Sequence, residues 1–160
     1  MTEAGWLPDD FAHPLRAELA DGVHLRPIRA EDVEIDMIAV MSNQPMLWDM
    51  YGEAWGWPPA TMTREADEED LARHAEEMEG HESFNYAVLT ADEDRLLGCV
   101  YIDPLDALDG EISAEVSWWM VPDAPAGMAE RLDAFVPAWL EREWPFGRVT
   151  YPFNPGAPRA

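Results

Sequence analysis

One stretch, Ala114 to Leu140, constrains the fold of this chain more than any other. It reads Ala-Glu-Val-Ser-Trp-Trp-Met-Val-Pro-Asp, then Ala-Pro-Ala-Gly-Met-Ala, then a long amphipathic run. Glu115 to Met120 is rich in Val and Trp, which suit a strand. Val121-Pro122-Asp123 ends it. Met128, Leu132, Phe135, Val136, Trp139 and Leu140 then recur at the three- and four-residue spacing of one helix face. A strand therefore runs into a turn, and the following helix points its N-terminus back across the strand's end. Free N–H groups at such a terminus favour an anion, and Gly127 permits close approach. The same pattern also serves a crossover that binds nothing. Pro137, inside the helical run, is expected to kink or divide it.

The chain has 160 residues, enough for one domain with a full core. Eight Trp and nine Met support burial and argue against disorder. No apolar run is long enough to cross a bilayer, and the N-terminus lacks a signal-peptide pattern. The single Cys99 cannot form an internal disulfide and falls in an apolar strand, as a small core residue would. A cytoplasmic protein is the simplest reading. The formal net charge is −23 and lysine is absent. That field repels nucleic acid and anionic membranes and attracts a cationic partner such as an amine or polyamine. It equally fits a protein selected only for solubility or for a salty cytoplasm.

Residues 1–22 read as an irregular arm carrying Trp6, Leu7, Phe11 and Leu15 as anchors. Val23 to Ile28 reads as a short strand, with Pro27 favouring an edge or the strand's end. Asp32 to Met41 reads as a helix on the spacing of Val33, Met37, Val40 and Met41. Trp48, Tyr51, Trp55 and Trp57 are then interrupted by Gly52, Gly56 and a Pro pair, which predicts an aromatic-lined loop. Such a loop either walls a ligand pocket, with Asp49 and Glu53 able to hold a cation, or simply anchors itself to the core. Thr63 is a candidate N-cap for a helix from Arg64 to about Glu79. Its acidic first turns suit the helix dipole and read as a solvated face. His74 and His81 are not at metal-ligand spacing, so no metal is expected. Ser83 to Thr90 and Arg95 to Asp103 form a hairpin around Ala91-Asp-Glu-Asp94, and the almost wholly apolar second strand should be central. Arg148 to Tyr151 makes a last short strand before a Pro-rich tail at 153–160. No internal repeat or linker divides residues 23–152.

This order resembles the Gcn5-related N-acetyltransferase (GNAT) superfamily. The residues that carry the resemblance are His24-Leu-Arg-Pro-Ile-Arg-Ala-Glu-Asp-Val33, Leu97-Gly-Cys-Val-Tyr-Ile102 and Ala114-Glu-Val-Ser-Trp-Trp-Met-Val-Pro-Asp123. It implies an α+β fold: a mixed, mostly antiparallel central sheet flanked by helices, here lacking the family's usual last strands. It also implies acetyl-CoA as co-substrate. Backbone groups at Met120 and Val121 would meet the pantetheine arm. Amides at Ala126, Gly127, Met128 and Ala129 would wrap the pyrophosphate. The family's loop, Arg/Gln-x-x-Gly-x-Gly/Ala, is altered here to Asp-Ala-Pro-Ala-Gly-Met-Ala. The leading Arg or Gln and one Gly are missing, Pro125 removes a donor, and Arg131 is placed to restore some charge. The family's usual last helix, whose Tyr often protonates the thiolate, has no counterpart, and the N-terminal arm is a candidate to cover the sheet instead.

Acetyl transfer to an amine needs alignment, an oxyanion donor and a proton acceptor. Glu115, which shares a face with Ser117 and Trp119 by strand alternation, is the first candidate base. Asp103 is the second, and Tyr101 is a candidate proton donor. Each is equally readable as a solvent-facing or core residue. The aromatic segment, with Trp48, Tyr51, Glu53, Trp55 and Trp57, would line the acceptor site. Two functions follow. One is an N-acetyltransferase acting on a small or peptidic amine. The other is a catalytically degenerate GNAT-like ligand-binding or self-association module, a homodimer being reasonable for a shortened sheet.

Overall fold

The computed structural model describes residues 5–154. The first four residues and most of the expected tail lie outside that range. Six strands lie side by side in chain order: β1 (Ala17–Ala20), β2 (Val23–Pro27), β3 (Phe84–Thr90), β4 (Leu96–Leu108), β5 (Glu111–Met120) and β6 (Arg148–Thr150). Neighbours are antiparallel except β5 and β6, which run parallel over Ser113–Glu115 alone. Helices α1 (Val33–Met41), α2 (Gln44–Trp55) and α3 (Arg64–Glu79) precede β3, and α4 (Met128–Glu143) joins β5 to β6. This is the mixed, mostly antiparallel sheet with flanking helices that the element order predicts. Among the described residues no helix is long and apolar enough to cross a membrane.

Register sorts the sheet's two faces. Residues opposite one another on antiparallel strands share a face, and alternate residues return to it. Asn85, Tyr101 and Ser117 are aligned across β3, β4 and β5, with Asp103 opposite Glu115 one step along. This face meets α2, where Tyr51 donates to Ser117 Oγ at 3.1 Å. Tyr86, Val100 and Trp118 align on the other face. There Trp139 of α4 packs edge-on against Tyr86 with ring centres 5.0 Å apart. Trp118 Nε1 donates to Asp133 of the same helix at 2.8 Å. Burial of α4's apolar stripe outweighs its interior Pro137, so the helix runs undivided from Met128 to Glu143.

The N-terminal arm is less irregular than expected. Ala17–Ala20 form β1 against β2, and Trp6 Nε1 donates to the Ser113 carbonyl at 2.8 Å. Tyr86 donates to the Pro14 carbonyl at 2.6 Å, so the arm is tied to the sheet at several points.

The aromatic segment is a second departure. It folds as helix α2, not as a loop. Pro45 sits in the first turn, where its missing N–H costs nothing. Gly56 ends the helix in a left-handed conformation, φ 62°. The Gly and Pro residues thus punctuate the ends, while Leu47 and Tyr51, four apart, form the buried face. Thr63 caps α3 as expected, its hydroxyl accepting from the Ala66 N–H at 3.1 Å.

One ion cluster is buried beside β2. Arg26 holds Asp32 with two bonds of 2.8 Å and Glu93 with one of 3.1 Å. His24 Nε2 lies 2.6 Å from the same Glu93. The hydrogen bonds from Arg26 and then His24 lower the Glu93 carboxyl to a pKa of about 2.

Candidate active site

The helical face of the sheet opens into a cavity of about 630 Å3. Asp103, Glu115 and Tyr101 all line it, with Trp55 and Trp57 at its wall. Three candidate catalytic residues and two candidate acceptor residues therefore come together. Tyr51 stacks on Trp55 at 4.4 Å and stands edge-on to Tyr101 at 5.7 Å, extending the aromatic wall. Trp48 and Glu53, also on α2, do not line this cavity.

Asp103 is half-buried. Burial first, and then the charge of Glu115 directly opposite, raise its pKa to about 6, against a smaller opposing effect of a Ser83 hydrogen bond. A carboxylate with that affinity can take a proton near neutral pH, which an ordinary Asp does poorly. Tyr101 is held differently. Its oxygen accepts from Trp119 Nε1 at 2.9 Å, and burial raises its pKa well above the usual phenol value. It therefore favours the phenol form, so the proton-transfer role open to it is that of proton donor.

Helix positions bring further carboxyls to the same cavity. Asp36 on α1 and Asp67 on α3 are 4% and 2% exposed, and Asp70 joins them at the wall. Asn85 lines the floor from β3. The sequence reading missed all of these. The signal was present: Asp36 lies three residues after Val33 and four before Val40, and Asp67 lies four before Leu71, so each falls on a core-facing stripe.

The loop before α4 forms a separate region. Gly127 takes φ 80° at the N-cap, and Met128 N–H bonds back to the Pro125 carbonyl at 3.0 Å. Ala126, Gly127, Met128 and Arg131 line an open groove of about 770 Å3, shared with Glu18 and Asp21. Pro125 is exposed and does not line it. Met120 and Ala129 line a neighbouring cavity of about 420 Å3 between β5, α2 and α4. Val121 stands apart, its N–H donating to Leu97 O at 2.8 Å.

Beyond Glu115 this edge of β5 has no strand partner among the described residues, because β6 stops at Thr150. Asn154 takes that edge. Its Oδ1 accepts from the Trp118 N–H and its Nδ2 donates to the Trp118 carbonyl, both at 3.1 Å.

The GNAT acetyltransferase domain model matches residues 23–156. The chain belongs to the GNAT acetyltransferase family. Solved structures share the fold of this GNAT domain at low identity. A ribosomal-protein-S5-alanine acetyltransferase from Vibrio fischeri is 16% identical, with a TM-score of 0.58 over 79% of this chain and 67% of that one. The ribosomal L7/L12 alpha-N-protein acetyltransferase RimL, in complex with coenzyme A, is 12% identical, with a TM-score of 0.56 over 70% and 59%. The microcin C7 self-immunity acetyltransferase MccE, in complex with acetyl-CoA and AMP, is 9% identical, with a TM-score of 0.63 over 81% and 66%. This GNAT domain thus spans about two-thirds of those chains or less. A sequence search of curated proteins finds no match.

Proposed function

We propose that this GNAT domain is a cytoplasmic N-acetyltransferase that moves an acetyl group from acetyl-CoA to a small or peptidic amine. The observation that carries this reading is Asp103, a half-buried carboxyl with a pKa raised to about 6 beside Glu115 in a concave, aromatic-walled cavity. Its carboxylate is suited to accept the ammonium proton and so leave a neutral nucleophile. Glu115 attracts the incoming cation and keeps Asp103 basic. The wall of Trp55 and Trp57 positions the amine and excludes water. Tyr101, kept protonated, is suited to donate a proton to a departing thiolate.

The phosphate side fits acetyl-CoA. Gly127 leaves its groove open, and Arg131 forms no ion pair among the described residues. The Met128 N–H is taken by the Pro125 carbonyl, so the amides of Ala126, Gly127 and Ala129, with Arg131, would hold the pyrophosphate, and Met120 and Ala129 would flank the pantetheine arm. Bound there, acetyl-CoA supplies the activated acyl carbonyl.

Asn154 favours a second reading, a ligand-binding or self-associating module. Its carboxamide occupies the β5 edge at Trp118, two residues before Met120, whose backbone the acetyltransferase reading assigns to the cofactor. A homodimer belongs to that reading too.

Calorimetric titration of acetyl-CoA, in moderate salt to screen the repulsion between two anions, separates the two. The transferase reading expects micromolar binding, followed by acetylated product with an amine acceptor. No binding up to about millimolar, several kcal/mol short of a working site, overturns it in favour of the module.

A further inference from the structure

The floor of the acidic cavity carries carboxyls that no cation balances. Asp36 and Asp67 are nearly fully buried, and burial first, then their mutual contact, raises the Asp36 carboxyl far above its ordinary range. Burial and this contact both disfavour ionising the two carboxyls together. Two cavity residues could supply positive charge, and neither does. Arg73 is exposed and already held by Asp70 at 2.9 Å and Glu77 at 4.0 Å. His74 has its pKa lowered, chiefly by burial, which disfavours its charged form.

Two acceptors on this floor have no donor among the described residues. Neither Asp67 Oδ2 nor Asn85 Oδ1 has a hydrogen-bond partner there. Asn85 is 4% exposed and Asp67 2%, so bulk water does not satisfy them. Leaving a buried acceptor unpaired costs about 1–3 kcal/mol, more if it is charged. Asp36, Asp67 and Asn85 thus present three acceptors at one end of the cavity, and Asp103 and Glu115 present a second acidic group. A primary ammonium carries three N–H donors. Among the described residues, no three His, Cys, Asp or Glu side chains are grouped to hold a metal ion, so the donor set suits an organic cation better than a metal.

We propose that the acceptor is a linear diamine or polyamine whose far ammonium is held by Asp67, Asp36 and Asn85 while its near amine meets Asp103 and Glu115. This rests on the acetyl-transfer reading above. The methylene chain lies along the wall formed by Trp55, Trp57 and Tyr101, whose ring faces favour both apolar contact and a nearby cation. In the transfer, the near nitrogen forms a bond to the acetyl carbonyl carbon and the carbon–sulfur bond breaks. The amine's proton passes to Asp103, and the thiolate leaves with CoA. The far ammonium is unchanged and serves only to position. A peptide is disfavoured because the floor is buried and its acceptors match the unbranched end of a slim chain.

The test compares 1,4-diaminobutane and spermidine with butylamine by calorimetry, on the full chain without acetyl-CoA and in moderate salt. We expect the diamine to bind at least about tenfold tighter than butylamine, the size of a charged hydrogen-bonded contact. Asp67→Asn and Asn85→Ala should each collapse that preference. Thermal unfolding checks that both variants fold, and Asp67→Asn should not be less stable, since it removes an unbalanced buried carboxyl. Equal binding of mono- and diamines, or a preference surviving both substitutions, overturns the subsite. So does tighter binding of a short peptide with Lys at its second position. Turnover is scored separately. Diamine binding without acetylated product would sink the transfer reading and leave the subsite standing. Equal kcat/KM for mono- and diamine would sink the subsite and leave the transfer.

Discussion

Two groups of acids flank the start of α1, each with a buried member, and the fold treats them differently. Beside β2, Asp32 and Glu93 are met by Arg26, and every bond is close to ideal length. In the cavity, Asp36, Asp67, Asp103 and Glu115 converge with no cation to balance them. The first group has lowered proton affinity at Glu93, the second has raised affinity at Asp36 and Asp103. Proton affinity separates a structural acid cluster from one arranged for an incoming charge. In one the partner is built in, and in the other it must arrive.

The sharpest way to break the contrast is to remove the built-in partner. Arg26→Met strands Asp32, whose side chain is 8% exposed, and should lower unfolding free energy by about 3–5 kcal/mol in a denaturant titration. A variant as stable as the parent would mean the cluster contributes nothing by its pairing.

On the cavity side, Asp103→Asn should cut kcat/KM by about 100-fold or more if it is the base. Stability should move the other way. The folded pKa is about 6 against an ordinary 3.8, so ionising Asp103 costs the folded state above pH 6, and that cost fades as pH falls toward 3.8. The variant should therefore be more stable than the parent at pH 8 and equal to it near pH 3.5, read from thermal melts. A uniform difference at both values would contradict the assignment.

Glu115→Gln is a finer cut. It removes the second cause of the raised pKa, so the acid limb of the rate profile should move below its parental midpoint near pH 6. An unmoved limb would assign it to another group. The smallest effect is expected at Glu93. Its lowered pKa supplies stability that is complete above its ordinary 4.5 and disappears as pH falls through about 2. Glu93→Gln should flatten acid destabilisation in that window, a change visible in melts between pH 5 and pH 2.

The same contrast explains what was legible in the chain. Strand alternation placed Glu115, Ser117 and Trp119 on one face, whereas the pairing of Asp103 with Glu115 is set by the β4–β5 register. Helix α4 followed from its apolar stripe, and α3 from Thr63. Helix α2 did not, because Gly52 and Gly56 look alike in sequence. Only the second ends the helix; the first lies inside it, where a Cβ would collide with the Trp48 ring. The acids of α3 looked like one solvated run. Periodicity singles out Asp67 only when Leu71 and Met78 are used to orient the helix, because charge type alone does not tell an inward acid from an outward one. Asn154 left no signal at all: a carboxamide that completes a distant strand edge is a tertiary fact.

That carboxamide has a thermodynamic consequence. Any ligand whose amide pairs with the Trp118 backbone must first release Asn154, giving up two hydrogen bonds to form two. The exchange is close to isoenergetic. Contacts at that strand edge can set the ligand's register, but its affinity has to come from the groove beside Gly127 and from the cavity walls.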